Sequence, residues 1–261
     1  MATHERSYKH FRELVIKQPP GLLHIHFQRG WNRRTIYELM RALDLANADT
    51  GIQLVVLSGE FCAGCGSEAE SLALKQGQEK RMRQSVGQQE AVGSNDVEEQ
   101  YIHEKAANFV MRSLAKKLLA HSKLLVAFVE AQCLGLGLSV CSLCDLVFAT
   151  PSAAFEPAFS HMDACTKVGP GWTVPHVNWL LRLGDRADAS TALHSGLVAN
   201  VVSDPQGFWR RMDQYLLLPT ASLLATKRLL LRPWREPLLA ELRAEGTPMA
   251  AQRRRLAKSK L

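Results

Sequence analysis

The chain contains no continuous apolar run of about 18 residues, the length that a membrane-spanning helix requires. Its opening, "MATHERSYKHFRELV", alternates charged with apolar side chains and lacks the hydrophobic centre of a secretory leader. These two absences predict a soluble chain that is not secreted. A third absence concerns nucleotides: neither glycine-rich turn spells G-x-G-x-x-G with an acidic residue after the next strand, so a dinucleotide-binding α/β fold is not expected. No nucleic-acid-binding motif is present either. The net charge of +7 is dispersed except in the tail "QRRRLAKSKL", and suits an anionic small molecule such as a phosphorylated cofactor.

What is present fills one large core with a terminal appendage: 261 residues, 46% of them apolar. The expected division is a core over 1–205, carrying a mobile polar loop near 75–100, and a helical lobe with its tail over 206–261. Six cysteines without a leader predict reduced thiols. Cys62 with Cys65, and Cys141 with Cys144, have C-x-x-C spacing, but the second pair lies in the apolar run "LGLSVCSLCDLVFA". Its i, i+3 spacing predicts one face of a buried helix, so the thiols are read as core and no metal is expected.

"LLHIHF" alternates, placing Leu23, Ile25 and Phe27 on one strand face and solvated His24 and His26 on the other. A helix follows through Ile36, Leu39, Met40 and Leu43, with Thr35 and Glu38 spaced as a capping box. "GIQLVVLSG" reads as a strand buried on both faces. It enters the turn "GEFCAGCGSEAESL", where Gly64 and Gly66 free the backbone and Ser67 with Glu70 caps a second helix. After the helix "HEKAANFVMRSLAKKLLAHS" the pattern repeats: strand "KLLVAFVEAQ", then "CLGLGLSVCSLCDLVFAT" as turn, helix and strand. The remainder reads as mostly helical, with a break at Pro219. Strand, glycine turn and helix used twice predict an α/β chain built as a right-handed spiral of ββα units. Backbone N–H groups at the two helix starts would attract negative charge.

The turn "FCAGC", the turn "EAQCLGLG" before a helix ending in "CDLVFA", the stretch "FEPAFSHM" and the segment "ALHSGLVANVV" together resemble the crotonase (enoyl-CoA hydratase/isomerase) superfamily, from about Phe11 to Leu231. "FSHM…VP" and the final Ser259, Lys260 and Leu261 look most like its peroxisomal Δ3,Δ2-enoyl-CoA isomerases. The resemblance implies a crotonase-like spiral with a C-terminal helical lobe and a trimeric assembly. The ligand would be a fatty acyl-CoA thioester, with no other cofactor. It implies that the amides of Cys65 and Leu136 are oxyanion donors, that Ala63, Gly64, Cys65, Gly66 and Ser67 line the CoA, and that Arg29 meets a phosphate. Gly66 stands where the family commonly has aspartate. An ungapped match through Ser160, His161 and Pro175 puts Lys167 where the isomerases carry their glutamate, and Ser139 and Phe159 where the hydratases carry theirs. The expected acid is therefore absent, and Glu156, Asp163, Glu68 and Glu70 are the carboxylates nearest along the chain. The sequence is accordingly compatible with an isomerase whose acid has moved and with a family member that binds acyl-CoA without turning it over. Ser259-Lys260-Leu261 also reads as a peroxisomal matrix address, recognised by an import receptor.

Overall fold

The computed structural model describes residues 10–62, 109–157, 180 and 183–244. The strands are β1 (Leu14–Lys17), β2 (Leu22–Phe27), β3 (Leu54–Gly59), β4 (Leu124–Val129), β5 (Gln132–Leu134), β6 (Leu146–Ala149), β7 (Ala154–Glu156), β8 (Ala187–Asp188) and β9 (Asn200–Val201). The helices are α1 (Arg33–Ala48), α2 (109–119), α3 (Leu136–Ser142), α4 (Ala189–His194), α5 (Pro205–Leu216) and α6 (Thr220–Ala244).

Six strands form one sheet in the order β1-β2-β3-β4-β6-β9, antiparallel at β1/β2 and parallel from there on. A smaller sheet has the order β5-β7-β8. β4 passes into β5 and then α3, and β6 passes into β7. Because β4 pairs with β6 in the large sheet while β5 pairs with β7 in the small one, each turn of the chain adds a strand to both sheets. This is the expected spiral of ββα units.

Parallel strands joined by crossovers are covered on both faces, and alternation along each strand divides the core in two. Leu23, Ile25, Phe27, Val55, Leu57, Leu125, Ala127 and Val129 face a cluster completed by α1, α2 and α3. Leu22, Leu54, Val56, Val126, Phe128 and Phe148 face the other way, where Phe208 and Met212 of α5 close the layer. The Phe128 and Phe208 rings stack with centroids 4.0 Å apart, a contact worth about 0.5–1.5 kcal/mol beyond simple burial.

Three expectations are corrected here. α1 begins at Asn32, whose side chain accepts from the Thr35 amide while Thr35 Oγ1 accepts from the Asn32 amide. Thr35 is thus the third helical residue and not the cap, because Asn32 is the better acceptor one turn earlier. Glu38 instead ties the chain before β1 to this helix, accepting from the amides of Arg12 and Glu13. His24 and His26 are half-buried instead of solvated: they share the Ser58 hydroxyl, and the His24 ring meets Trp209 of α5 with centroids 4.6 Å apart. Cys144 lies beyond α3, which is capped at Leu143, so it does not continue the helical face of Cys141. The 75–100 segment lies outside the described residues.

Candidate functional site

The C-terminal ends of β2, β3 and β4 converge on one edge of the large sheet, where the chain leaves β3 at Phe61 and Cys62 and leaves β4 for the second glycine turn. Phe61 pairs with Cys133 in a parallel bridge, and the Leu134 amide donates to the Phe61 carbonyl at 3.2 Å. Cys62 Sγ donates to the Gln132 carbonyl at 3.2 Å, and the Trp31 amide donates to the Cys62 carbonyl at 2.9 Å. The two turns, separated by about 70 residues, are therefore stitched together by backbone.

Glycine is required twice at this seam. Gly135, the residue before α3, has φ of 54° and ψ of −108°, a conformation that a side chain opposes. Gly137 packs flat against the first turn, and a Cβ there would collide with the Phe61 carbonyl oxygen. Gly135 donates its amide to the Glu156 carbonyl at 3.0 Å, and Leu134 lies opposite Glu156 in the small sheet. The amide of Leu136 is the first of α3 and has no acceptor among the described residues. Buried backbone N–H groups are nearly always paired, so an open amide at a glycine-built helix start is a donor available to a ligand.

Of the residues expected at the site, Leu136 is buried at this seam and Arg29 is exposed just beyond the end of β2, on the same edge of the sheet. Ala63, Gly64, Cys65, Gly66, Ser67 and Lys167 lie outside the described residues, as do Phe159, Asp163, Glu68 and Glu70. Ser139 is fully buried in α3. Glu156, half-buried, is the carboxylate residue that the small sheet sets beside the second turn. Sequence reasoning overlooked Trp31, which packs on Phe27 with its indole N–H buried and without an acceptor among the described residues.

Two further thiols, Cys141 and Cys144, are held protonated by their environment. Cys141 Sγ lies 3.7 Å from Cys133 Sγ, and burial pushes both the Cys141 and Cys144 thiols well above their ordinary range. No group of three or more His, Cys, Asp or Glu side chains among the described residues is placed to hold a metal ion. No helix among them is long and apolar enough to cross a membrane.

A paired growth of two sheets, with two turns meeting where their parallel strands end, is the crotonase fold, and the chain resembles the isomerases of that superfamily. Enoyl-CoA hydratase from Bacillus halodurans superposes with a TM-score of 0.72 at 19% identity, over 92% of this chain and 95% of that one. In sequence the chain is 24% identical over 252 residues to human enoyl-CoA delta isomerase 2, covering 90% of this chain and 58% of that protein. It is also 24% identical over 261 residues to mouse chromodomain Y-like protein 2, covering 93% of this chain and 47% of that protein. The chain thus spans about half the length of these curated relatives. No family model matches it.

Proposed function

We propose that the chain binds fatty acyl-CoA thioesters at the seam of its two turns and shifts the double bond of a 3-enoyl-CoA to the 2-position, as a step of peroxisomal fatty acid β-oxidation. The observation that carries this reading is the contact of Gly137 with Phe61, which sets the open Leu136 amide against the first turn. Removing a proton next to a thioester carbonyl builds charge on its oxygen. Two fixed backbone donors, Leu136 and Cys65, would hold that oxygen, and loss of one such donor typically costs about 10²–10³ in rate. Arg29 would meet a CoA phosphate, and residues 63–67 would run along the ligand. Coenzyme A arrives with the substrate, so no separate cofactor is invoked.

The reaction also needs a group that takes the proton from C2 and returns it at C4. Lys167 occupies the position matched to the family glutamate and is a cation at neutral pH unless strongly desolvated. Glu156 is a described carboxylate residue that the small sheet sets beside Leu134 and Gly135, and is proposed as the relocated base. The lysine favours a second reading, in which the site binds acyl-CoA without catalysis.

Turnover of a purified 3-enoyl-CoA, followed by the ultraviolet absorbance of the conjugated product, separates the two. Catalysis that Glu156→Gln lowers by about 10²–10⁴ while leaving acyl-CoA affinity intact supports the first. Wild-type protein that binds without turnover, and gains turnover in Lys167→Glu, establishes the second. Peroxisomal residence rests on Ser259-Lys260-Leu261, and deletion of these residues should leave a folded protein in the cytosol.

A further inference from the structure

At the opposite end of the large sheet, where β4 and β6 begin, α6 lies across the chain that leaves α2. Two adjoining cavities open beneath it, of about 470 and 560 Å³, sharing Leu119, Lys227, Leu231 and Arg235. A six-residue strand at about 3.3 Å per residue places them roughly 20 Å from the glycine turns. The first cavity is walled mainly by leucines, Leu143, Leu223 and Leu238 among them. The second carries Arg228, Arg232 and Arg235, with Lys227 at the junction, against the single carboxylate of Glu236. Asp145, at the edge of the first, is already engaged by Lys227 at 2.8 Å and by the Leu125 amide.

His121 lines the basic cavity, is only 2% exposed, and has neither ring nitrogen partnered among the described residues. Burial and the charges of Lys227 and Lys123 lower its pKa to about 3, so the ring is neutral and must carry one N–H. A buried donor without an acceptor is costly, and both the volume and the apolar lining are those of a small-molecule site.

We propose that these joined cavities bind a single-chain amphiphile with an anionic head: the tail lies among Leu119, Leu143, Leu223, Leu231 and Leu238, and the head group meets Arg228, Arg232 and Arg235 and accepts from His121. Leucine walls alone would take any apolar molecule. The arginine excess selects the anion, and the orphaned imidazole, whose nitrogens are covered in this structure, becomes the donor to its oxygen by a turn of the ring toward the head group. This site is separate from the thioester seam and does not rest on the function proposed for it.

The test is calorimetric titration of the intact protein with dodecanoate, dodecyl phosphate and dodecanol, each below its micelle concentration. Both anions should bind in one equivalent, with dodecanol at least about tenfold weaker, and whichever anion binds tighter identifies the head group. Leu231→Trp, which fills the junction, should abolish binding. Arg235→Ala should weaken it about tenfold. His121→Phe removes an unsatisfied polar ring, so it should leave the melting temperature unchanged or raised while weakening anion binding several-fold, a split that a merely structural histidine would not give. Saturating acyl-CoA should not displace the amphiphile. Absence of dodecanoate and dodecyl phosphate binding, equal affinity for dodecanol, unchanged binding in Leu231→Trp, or one-for-one competition with acyl-CoA would each overturn the proposal.

Discussion

Ser58 Oγ has one proton to donate, yet two imidazoles lie on it, His24 Nε2 at 2.7 Å and His26 Nδ1 at 3.0 Å. At least one ring must therefore donate to the hydroxyl, and a proton added to both would set two cations side by side beneath α5. Burial first, then His26 and Lys17, lower the His24 pKa from 6.5 to about 4. The folded state thus refuses a proton that the unfolded chain accepts between these pH values, and stability must fall as pH drops from about 6.5 to about 4. Allowing for the partial exposure of the ring, the loss is on the order of 2 kcal/mol. Urea denaturation at pH 7 and pH 4.5 should show it, and His24→Gln, which keeps a partner for Ser58, should flatten the difference. At the turn itself, Gly137→Ala drives a methyl into the Phe61 carbonyl and should cost about 3 kcal/mol or more, read from the same denaturation curves. An unchanged midpoint would mean that the two turns are not in contact.

Between elements, α6 is fastened to the core by one buried ion pair. Lys227 Nζ reaches Asp145 at 2.8 Å and donates to the Lys123 carbonyl at 2.7 Å, while Asp145 also accepts from the Leu125 amide at the start of β4. Burial raises the Asp145 pKa, and Lys227 and the Leu125 amide work against that rise. Lys227→Met strands the carboxylate and should destabilise the chain by about 3–5 kcal/mol, whereas the double change Asp145→Asn with Lys227→Met should recover most of it. The sign of the pH response is a second check. Without the lysine the folded pKa of Asp145 rises further, so the single variant should gain stability on mild acidification relative to the wild type. None of this was legible in the sequence, because Lys227 lies in a leucine-rich helix that reads as exposed on that side. Alternation in "LLHIHF" did reveal which residues share a face, but not that α5, about 180 residues later, covers the histidines. The cap of α1 was displaced by one turn for a simpler reason: Arg33, Arg34 and Thr35 separate Asn32 from the apolar periodicity, which begins at Ile36.

At the scale of the molecule, the repeat of strand, glycine turn and helix was legible as a spiral, because the turn residues and the doubly buried strands recur in order. The seam between the turns was legible only as two separate glycine clusters. Their meeting depends on the small sheet, whose strands are two or three residues long and too short for any periodicity to show. Glu156 was visible as a nearby carboxylate, but its register beside Leu134 and Gly135 comes from that sheet. The central claim, that this seam receives an acyl-CoA thioester, is tested most directly by calorimetric titration with octanoyl-CoA in the presence of saturating dodecanoate, which occupies any other apolar site. One equivalent should bind, free coenzyme A should bind more weakly, and an octanoyl-CoA concentration about 100-fold above Kd should stabilise the fold by about 2.7 kcal/mol. No heat of binding and no shift of the melt at millimolar octanoyl-CoA would contradict both the isomerase and the non-catalytic binding readings.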